Sequence, residues 1–261
     1  MEQAISPFQY NLIFNAFSFT FATMAATTLF LWLNRSQVSD KYKSAITISG
    51  LVCAIAAYHY LRIGESWSDA YTLENGVLSA TGYAFNDAYR YVDWLLTVPL
   101  LLIELVLVMG LSREETISKS AKLGFAAALM IVLGFPGEIA TDNATRAMWG
   151  AASTVPFVYI VYELFKGLGE AIDQQHEGVR DLIKKARLLT FASWGFYPIV
   201  YMAPFADLTG PNAETVIQVG YTLADLIAKA VVGVLIYMIA VRKTKIEAEV
   251  DGSAGAKAVA A

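Results

Sequence analysis

The stretch VIQVGYTLADLIAKAVVGVLIYMIAV, residues 216–241, is long and apolar enough to cross a membrane as a single helix. It nevertheless contains an acid, Asp225, and a lone lysine, Lys229. A cation at that depth costs about 3 kcal/mol unless it is paired, so such a lysine is expected to have a working role. The spacing of four residues places both side chains on one helix face. This pair suits a lysine that carries a covalent ligand through an imine, because a protonated imine keeps its positive charge and needs a counterion.

The composition of the whole chain also indicates a membrane protein. Of its 261 residues, 56% are hydrophobic and only 16% are charged, whereas soluble domains have a charged fraction of about 25%. The net charge of −4 gives no indication of nucleic-acid binding. A single cysteine, Cys53, excludes an intramolecular disulfide, and its place in an apolar stretch indicates a small buried side chain. No metal site is predicted.

Apolar runs of about 20 residues recur along the chain, and each is long enough to span a bilayer. Seven can be counted, at 8–33, 44–64, 87–110, 119–140, 146–168, 183–205 and 213–241. We therefore expect an all-α membrane protein, with residues 1–249 forming one bundle of seven transmembrane helices. Residues 250–261, rich in alanine and glycine, are expected to be a disordered cytoplasmic tail. Between the second and third runs, residues 65–86 have room for a short extracellular hairpin.

The distribution of basic residues predicts the orientation of the bundle. If the N-terminus is extracellular, fifteen lysines and arginines fall in cytoplasmic segments, and two, Arg62 and Arg146, fall outside. The positive-inside rule then places the C-terminus in the cytoplasm. No basic segment precedes the first run and no convincing cleavage site follows it, so we expect a retained span and not a removed signal peptide. The sequence thus predicts a multi-pass protein of the plasma membrane.

The third run carries four polar residues in a regular pattern: Arg90, Asp93, Thr97 and Glu104. At about 100° per residue, their side chains fall within a narrow stripe on one face of a helix. Buried charges aligned in this way usually line a route for protons or ions, although each residue alone could serve helix packing. Asp93 would lie in the extracellular half, and Glu104 about 16 Å nearer the cytoplasm.

Three groups of residues give the chain a resemblance to the microbial rhodopsins. They are the stretch RYVDWLLTVP at residues 90–99, the segment from Asp225 to Lys229, and, in the sixth run, the cluster of Trp194, Tyr197 and Pro198. The resemblance extends over essentially all seven runs. The triplet Asp93, Thr97 and Glu104 resembles that of the outward proton pumps in the proteorhodopsin and xanthorhodopsin branch. Chloride pumps of the family replace the first acid, and the usual sodium pumps carry Asn, Asp and Gln at these positions.

The resemblance implies a transporter and not an enzyme: a light-driven outward proton pump in which all-trans retinal is bound to Lys229 as a protonated Schiff base. It implies that Asp93 is the counterion and proton acceptor. Asp225 would be a second counterion, with Arg90 balancing the charge of both acids. Glu104 would stay protonated in its apolar surroundings until it donates its proton toward Lys229, which makes it the proton donor.

Further site residues follow from the same resemblance. His59, in the second run, would pair with Asp93 and tune proton acceptance near neutral pH, although an isolated histidine on a helix is often structural. Thr97 would hydrogen-bond Asp93 one turn away. Leucine at position 101 implies absorption of green light. The residues expected to contact retinal are Trp94, Leu101, Met130, Gly134, Ser153, Trp194, Tyr197, Pro198 and Tyr221. In a membrane bundle, the aromatic members of this set could equally be plain packing residues.

Gly150 departs from the pattern of many relatives, which carry a bulky residue at this position beside the retinal ring. A missing side chain would open a slot through the helix wall toward the lipid. In xanthorhodopsin-like proteins such a window exposes the ring to a bound carotenoid. The resemblance therefore raises the hypothesis of a hydroxylated carotenoid antenna near Gly150. The alternative is close helix packing through a small residue.

Other classes of function remain open from the residues alone. One is a photosensory rhodopsin that signals through a partner, although a sensor has no need of a proton donor such as Glu104. Another is a membrane enzyme that uses Lys229 as an imine-forming catalyst, or a seven-helix chemoreceptor. Family analogy suggests a homo-oligomer of five or six subunits in the lipid bilayer. The proton release group is not identified: Glu138, Asp207 and Glu214 are acids on the extracellular side, and most of them are expected to be surface carboxylates.

Overall fold

The computed structural model describes residues 5–74, 77–206 and 210–259, and most of them are helical. In chain order the helices are α1 (Pro7–Leu33), α2 (Asp40–Ala70), α3 (Ala88–Met109), α4 (Arg113–Glu138), α5 (Asn143–Tyr162), α6 (Gly169–Asp173), α7 (Glu177–Tyr201), α8 (Gly210–Asp225) and α9 (Val232–Val259). A π-helical turn, Glu163–Gly167, extends α5, and another, Leu226–Val231, joins α8 to α9. The helices α8 and α9 form one continuous transmembrane helix, and α6 extends α5. Counted in this way, the described chain forms the predicted seven-helix bundle.

Local sequence signals explain where several helices begin and end. Capping boxes begin α1 and α4, in each case with a serine as the N-cap residue. At the start of α5, the carboxylate of Asp142 accepts a hydrogen bond of 2.8 Å from the backbone N–H of Thr145. Because this bond favours the ionised form, it lowers the pKa of Asp142 below its ordinary value. After α3, Gly110 adopts a left-handed conformation with φ of 72°, which ends the helix.

The helices pack into a closed bundle. Neighbours in the chain lie side by side from α1 through α5, α7 packs against α8 and α9, and α1 also packs against α8. Within the described residues, five stretches are apolar enough by hydropathy alone to cross a membrane, namely the first four helices and Gly210–Val250. The helices α5 and α7 complete the seven, although the first half of α7 is charged.

The connection between α2 and α3 contains the predicted hairpin. Strand β1 (Tyr71–Glu74) pairs with strand β2 (Val77–Ala80) in antiparallel register, with Tyr71 opposite Ala80. The prediction is confirmed, and the end of the bundle that carries these strands is called the hairpin end below. Both α3 and α8 begin there.

The observed helices differ from the predicted runs mainly at their ends. The helix α2 extends over Asp40–Ala70 where the apolar run covers 44–64, because its polar ends continue the backbone hydrogen bonds beyond the apolar part. The helix α9 continues to Val259, and residues 260 and 261 lie outside the described part. The division into 1–249 and a disordered tail at 250–261 stays a prediction.

Candidate functional site

Lys229 lies in the π-helical turn between α8 and α9, a type of turn that often occurs at functional sites. Its Nζ donates to the carboxylate of Asp93 on α3 and lies 2.9 Å from Oδ1 of Asp225. All three side chains are at most 1% exposed. The structure thus brings together the lysine and the two acids that the sequence singled out. An amine between two carboxylates is paired well enough to keep its charge in the bundle interior.

Asp225 is held by three neutral donors as well as by Lys229. Tyr60 of α2 donates to Oδ2 at 2.7 Å, and Tyr197 of α7 donates to Oδ1 at 2.6 Å. The indole N–H of Trp94 donates to Oδ1 at 3.1 Å. Hydrogen bonds to an ionised carboxylate favour that form, so the surroundings of Asp225 suit a permanent anion.

Asp93 has fewer partners than Asp225. Its Oδ2 accepts from Lys229, whereas Oδ1 has no hydrogen-bond partner among the described residues. Nδ1 of His59 lies 3.8 Å from Oδ1, but the same nitrogen is only 2.9 Å from the backbone carbonyl oxygen of Ile55. Thr97 donates at 2.8 Å to the backbone carbonyl of Asp93 and not to its carboxylate. Asp93 is therefore the acid with an unengaged oxygen close to the amine.

Arg90 reaches the lysine site indirectly. The guanidinium donates to the hydroxyl oxygen of Tyr60 at 3.2 Å, and Tyr60 in turn donates to Asp225. The other nitrogens donate to Asp87 at 3.0 Å and to the amide oxygen of Gln218. Arg90 is 1% exposed, so its charge acts on the two acids across a buried region where electrostatic fields are weakly screened.

Glu104 lies on the same stripe of α3, farther from the hairpin end, and is fully buried. Within the described residues, neither of its carboxyl oxygens has a hydrogen-bond partner. The hydroxyl oxygen of Ser49 on α2, which lies nearby, is also buried and without one. A buried carboxyl group without a cation beside it is best tolerated in its neutral, protonated form.

A cavity of about 450 Å³ lies between α3, α4, α5, α7 and α8, and its walls are mostly apolar. Eight of the predicted retinal contacts line it: Trp94, Met130, Gly134, Ser153, Trp194, Tyr197, Pro198 and Tyr221. Leu101 is not among the lining residues and is buried in the hydrophobic core. The cavity adjoins the lysine site, because Trp94 and Tyr197 line it and also hydrogen-bond Asp225.

Gly150 also lines the cavity, and the space beside it is taken by Tyr201 of α7. A Cβ atom on Gly150 would lie 2.8 Å from the Tyr201 ring, and one on Gly137 of α4 would lie 1.9 Å from the hydroxyl oxygen. That hydroxyl donates to the backbone carbonyl of Arg146 at 2.7 Å. The ring of Tyr201 therefore packs against Gly137 of α4 and Gly150 of α5 at the side of the cavity.

Sequence reasoning misses Tyr60, Gln218 and Tyr201. Their partners lie 165, 128 and 55 residues away in the chain, so no local pattern reveals the contacts. Of the three, only Gln218 could have been identified from the sequence. It lies seven residues before Asp225 in the same apolar run, a spacing that returns to the same helix face.

Of the three acids considered for proton release, Glu138 and Glu214 are only partly exposed, which differs from the expectation of surface carboxylates, and Asp207 lies outside the described residues.

Comparisons with known proteins agree with this geometry. Residues 12–243 match the model of a family described as bacteriorhodopsin-like protein. The crystal structure of xanthorhodopsin, described as a light-driven ion pump with dual chromophore, has a TM-score of 0.91 and 54% sequence identity, and the match covers 95% of this chain and 99% of that chain. A thermophilic rhodopsin structure has the same TM-score of 0.91 and 47% identity, covering 95% of this chain and 99% of that one. The green-light absorbing proteorhodopsin of Gamma-proteobacterium EBAC31A08 is 30% identical over 226 residues, which are 85% of this chain and 84% of that protein.

The matched residues include all seven members of the bundle and the buried lysine between two acids. The chain therefore belongs to the bacteriorhodopsin-like protein family, the microbial rhodopsins.

Proposed function

We propose that this multi-pass membrane protein is a light-driven outward proton pump in which retinal is bound to Lys229. The observation that carries the proposal is the order of buried groups along α3. Asp93 lies beside the Lys229 amine, and Glu104 lies eleven residues farther from the hairpin end, about 16 Å along the helix. An acceptor on one side of a proton-carrying nitrogen and a donor on the other form a one-way path.

The residues present fit retinal. A mostly apolar cavity walled by Trp94, Trp194 and Tyr197 adjoins a buried lysine whose charge is already balanced by acids. Lys229 would hold retinal covalently, and the aromatic rings would pack against it. When bound, retinal supplies light absorption and an isomerisation that changes the surroundings of the Lys229 nitrogen.

Asp93 is the acceptor in this proposal. Both acids touch the amine, but Asp225 is held as an anion by three neutral donors, whereas Asp93 keeps one oxygen unengaged among the described residues. The proton leaving the Lys229 nitrogen therefore forms an O–H bond on Asp93. His59, 3.8 Å from that acid, would tune the transfer through its own charge.

Glu104 returns a proton to the Lys229 nitrogen. Its buried carboxyl group has no cation beside it and no hydrogen-bond partner among the described residues, so it holds a proton until the deprotonated nitrogen becomes a better base. Because Glu104 is then refilled from its own end of the bundle, each cycle moves one proton toward the hairpin end. The distribution of basic residues supports an extracellular hairpin end and an extracellular N-terminus.

The direct test is the pH outside illuminated cells that express the protein with added retinal. We expect acidification of the medium that a protonophore abolishes, and no pH change from cells that carry the Lys229→Ala variant. Alkalinisation would reverse the proposed direction. A coloured protein that recovers slowly in the dark without any pH change would favour the photosensory alternative.

We further propose a hydroxylated carotenoid as a second pigment on the outer surface beside Gly150. Met202 and Phe205 are 52% and 40% exposed and also line the cavity, so the cavity wall reaches the lipid-facing surface at this side. Tyr201, seated over Gly150, would lie between the cavity and the carotenoid. The likeness to xanthorhodopsin, described as a pump with dual chromophore, supports this proposal.

The antenna is tested by mixing purified protein with hydroxylated carotenoids. We expect induced circular dichroism and a carotenoid band in the excitation spectrum of retinal, and the Gly150→Trp variant should lose both. The matched control is Gly169→Trp, because a side chain added at Gly169 meets open space. Absence of both signals in the unmodified protein would overturn the antenna and leave the pump untouched.

A ring of five or six subunits is proposed by family analogy alone. Native mass spectrometry of the protein in lipid nanodiscs or mild detergent measures it, and a monomer or dimer as the main species would contradict it.

A further inference from the structure

A second groove lies on the outer surface of the bundle, between α4 and α5 and toward the end opposite the hairpin end. It has a volume of about 350 Å³, and none of the described residues that line it also lines the cavity beside Lys229. Ala126 and Pro156 are buried and form its floor, whereas Phe125 and Val155 are 71% and 70% exposed and form its rims. Because α4 and α5 belong to the transmembrane bundle, these apolar rims face lipid.

Lys122 lies at one end of this groove and indicates what fills it. Among the described residues that line the groove, it alone is charged. Within residues 5–74, 77–206 and 210–259, its amine has no ion-pair or hydrogen-bond partner. An ammonium group beside lipid-facing apolar side chains is costly, so its flexible stem is expected to carry it to the level of the lipid headgroups.

Two glutamates at the same end of the bundle are already engaged with other groups. A carboxylate oxygen of Glu163 lies 3.3 Å from the amine of Lys119. Glu115, two turns before Lys122 on α4, accepts hydrogen bonds from the backbone N–H and the hydroxyl of Ser112 at the start of the helix. The positive charge of Lys122 is therefore available to an anion from outside the protein.

We propose that this groove binds an anionic phospholipid, with the phosphate against the amine of Lys122 and one acyl chain along the groove. Tyr159 of α5 lines the same end, and its hydroxyl is a second donor for the phosphate. The apolar floor and rims suit the chain, and the unpaired cation suits the headgroup. The inference does not depend on whether the protein pumps protons.

The length of the groove indicates which part of the bilayer it meets. From Lys122 to Leu129 it follows α4 for seven residues, about 10 Å along the helix axis. This is less than half of the hydrocarbon thickness of about 30 Å, so the groove takes a chain from one leaflet. The predicted topology makes this the cytoplasmic leaflet, whose anionic lipids attract basic side chains near the membrane surface.

The experiment measures lipid retention by native mass spectrometry of the intact protein, released from micelles that contain equal amounts of phosphatidylglycerol and phosphatidylcholine. Both lipids have a phosphate, but the choline cation leaves the second without net charge. We expect preferential retention of phosphatidylglycerol, and Lys122→Gln should lower it by roughly five-fold, the effect of one lysine near anionic lipid. The matched control is Lys185→Gln, because Lys185 of α7 is also exposed and without a partner among the described residues.

The acyl-chain part of the site is tested by Val155→Trp. Val155 is on the rim, so the larger side chain fills the groove without entering the core. We expect retention of phosphatidylglycerol to fall in this variant. Val158→Trp is the control, since Val158 is 59% exposed on the same helix but is not among the described residues that line the groove, and it should retain the lipid normally.

Three results would overturn the inference. The first is equal retention of the two lipids by the unmodified protein, and the second is equal retention of phosphatidylglycerol by the Lys122→Gln and Lys185→Gln variants. The third is a smaller oligomer in Val155→Trp with unchanged lipid retention, which would assign the groove to a second copy of this chain. A normal visible absorption spectrum with retinal shows that each variant is folded, so its result counts in either direction.

Discussion

Asp93 and Asp225 lie against the same amine, and the difference between them comes from side chains on other helices. Three neutral donors surround Asp225, whereas Asp93 is engaged through one oxygen only within the described residues. The sequence alone predicted both acids, because a charge in an apolar run is too expensive to be incidental. The division of roles between them depends on donors such as Tyr60 and Tyr197, and the resemblance to a family, not the spacing, predicted it.

The donor role of Glu104 gives a prediction at this scale. In Glu104→Gln the return of the proton to the Lys229 nitrogen should slow by roughly 10²-fold, because the positioned carboxyl group is lost. Time-resolved absorption after a flash measures this recovery. Glu163→Gln is the control, since Glu163 pairs with Lys119 at 3.3 Å and lies in the π-helical turn that extends α5, not on the polar stripe of α3. Equal recovery in both variants would remove Glu104 from the path.

For three other residues, the contacts in the structure differ from the predicted ones. Thr97 donates to the backbone carbonyl of Asp93, because a threonine in a helix readily reaches the carbonyl four residues before it. His59 lies near Asp93, but its ring nitrogen is closer to its own helix backbone. Leu101 does not line the cavity, so its contact with retinal stays a prediction that the cavity geometry does not support. Spacing predicts which face a residue occupies, but it does not predict the rotamer.

At the scale of elements, the sequence predicted the apolar centre of each helix better than its ends. The helix ends are marked by single capping residues, such as the serines before α1 and α4 and the aspartate before α5. The same residue types are common in loops, so a capping residue is hard to recognise in the sequence. The π-helical turn at Leu226–Val231 was not predicted, because its sequence has the same apolar character as the helices around it. A π turn depends on how the side chains pack against neighbouring helices, which a single sequence does not reveal.

Asp142, the N-cap of α5, gives a prediction about pH. Its hydrogen bond to Thr145 lowers the folded-state pKa, so the cap stabilises the fold above the pH where the unfolded acid titrates, about 3.9. This stabilisation is lost as the pH falls through the lower, folded-state pKa. Asp142→Ala should therefore melt below the unmodified protein at pH 6, and the difference should shrink toward pH 3. Asp142→Asn caps without titrating, so its advantage over the alanine variant should not depend on pH.

The packing of Tyr201 of α7 against Gly137 of α4 gives a second prediction, about the contact between these helices. Gly137→Ala places a Cβ atom 1.9 Å from the tyrosine hydroxyl oxygen, and this overpacking should cost about 1–3 kcal/mol of unfolding free energy. Tyr201→Phe removes the hydroxyl, so the double variant should recover part of the loss. Denaturation in mixed micelles measures all four members of the cycle. Strictly additive effects would show that the two residues do not share this contact.

At the scale of the whole molecule, the charge distribution predicts orientation. An epitope added after Ala261 should be accessible to antibody only in permeabilised cells, and one added before Met1 should be accessible in intact cells. The reverse pattern would contradict the predicted topology and, with it, the outward direction of pumping.

The overall bundle was the most predictable level. Seven apolar runs separated by polar connections leave few arrangements in a bilayer, because every backbone group must be satisfied within its own segment. The cavity between α3, α4, α5, α7 and α8 was not predictable from periodicity, since it depends on where these helices fail to pack closely.

The ionic cluster around Lys229 has one further consequence. Of the groups in this cluster that are at most 1% exposed, Lys229 and Arg90 carry two positive charges, and Asp93 and Asp225 carry two negative ones, so this fully buried set is electroneutral before any pigment is attached. Insertion into lipid therefore transfers four charged side chains whose charges cancel, and not isolated ions without a partner. Lys229→Ala alone leaves an uncompensated anion and should lower the yield of inserted protein. Adding Asp93→Asn to that variant restores neutrality and should restore the yield, although neither protein can bind retinal covalently; quantitative immunoblotting of membrane fractions measures the difference.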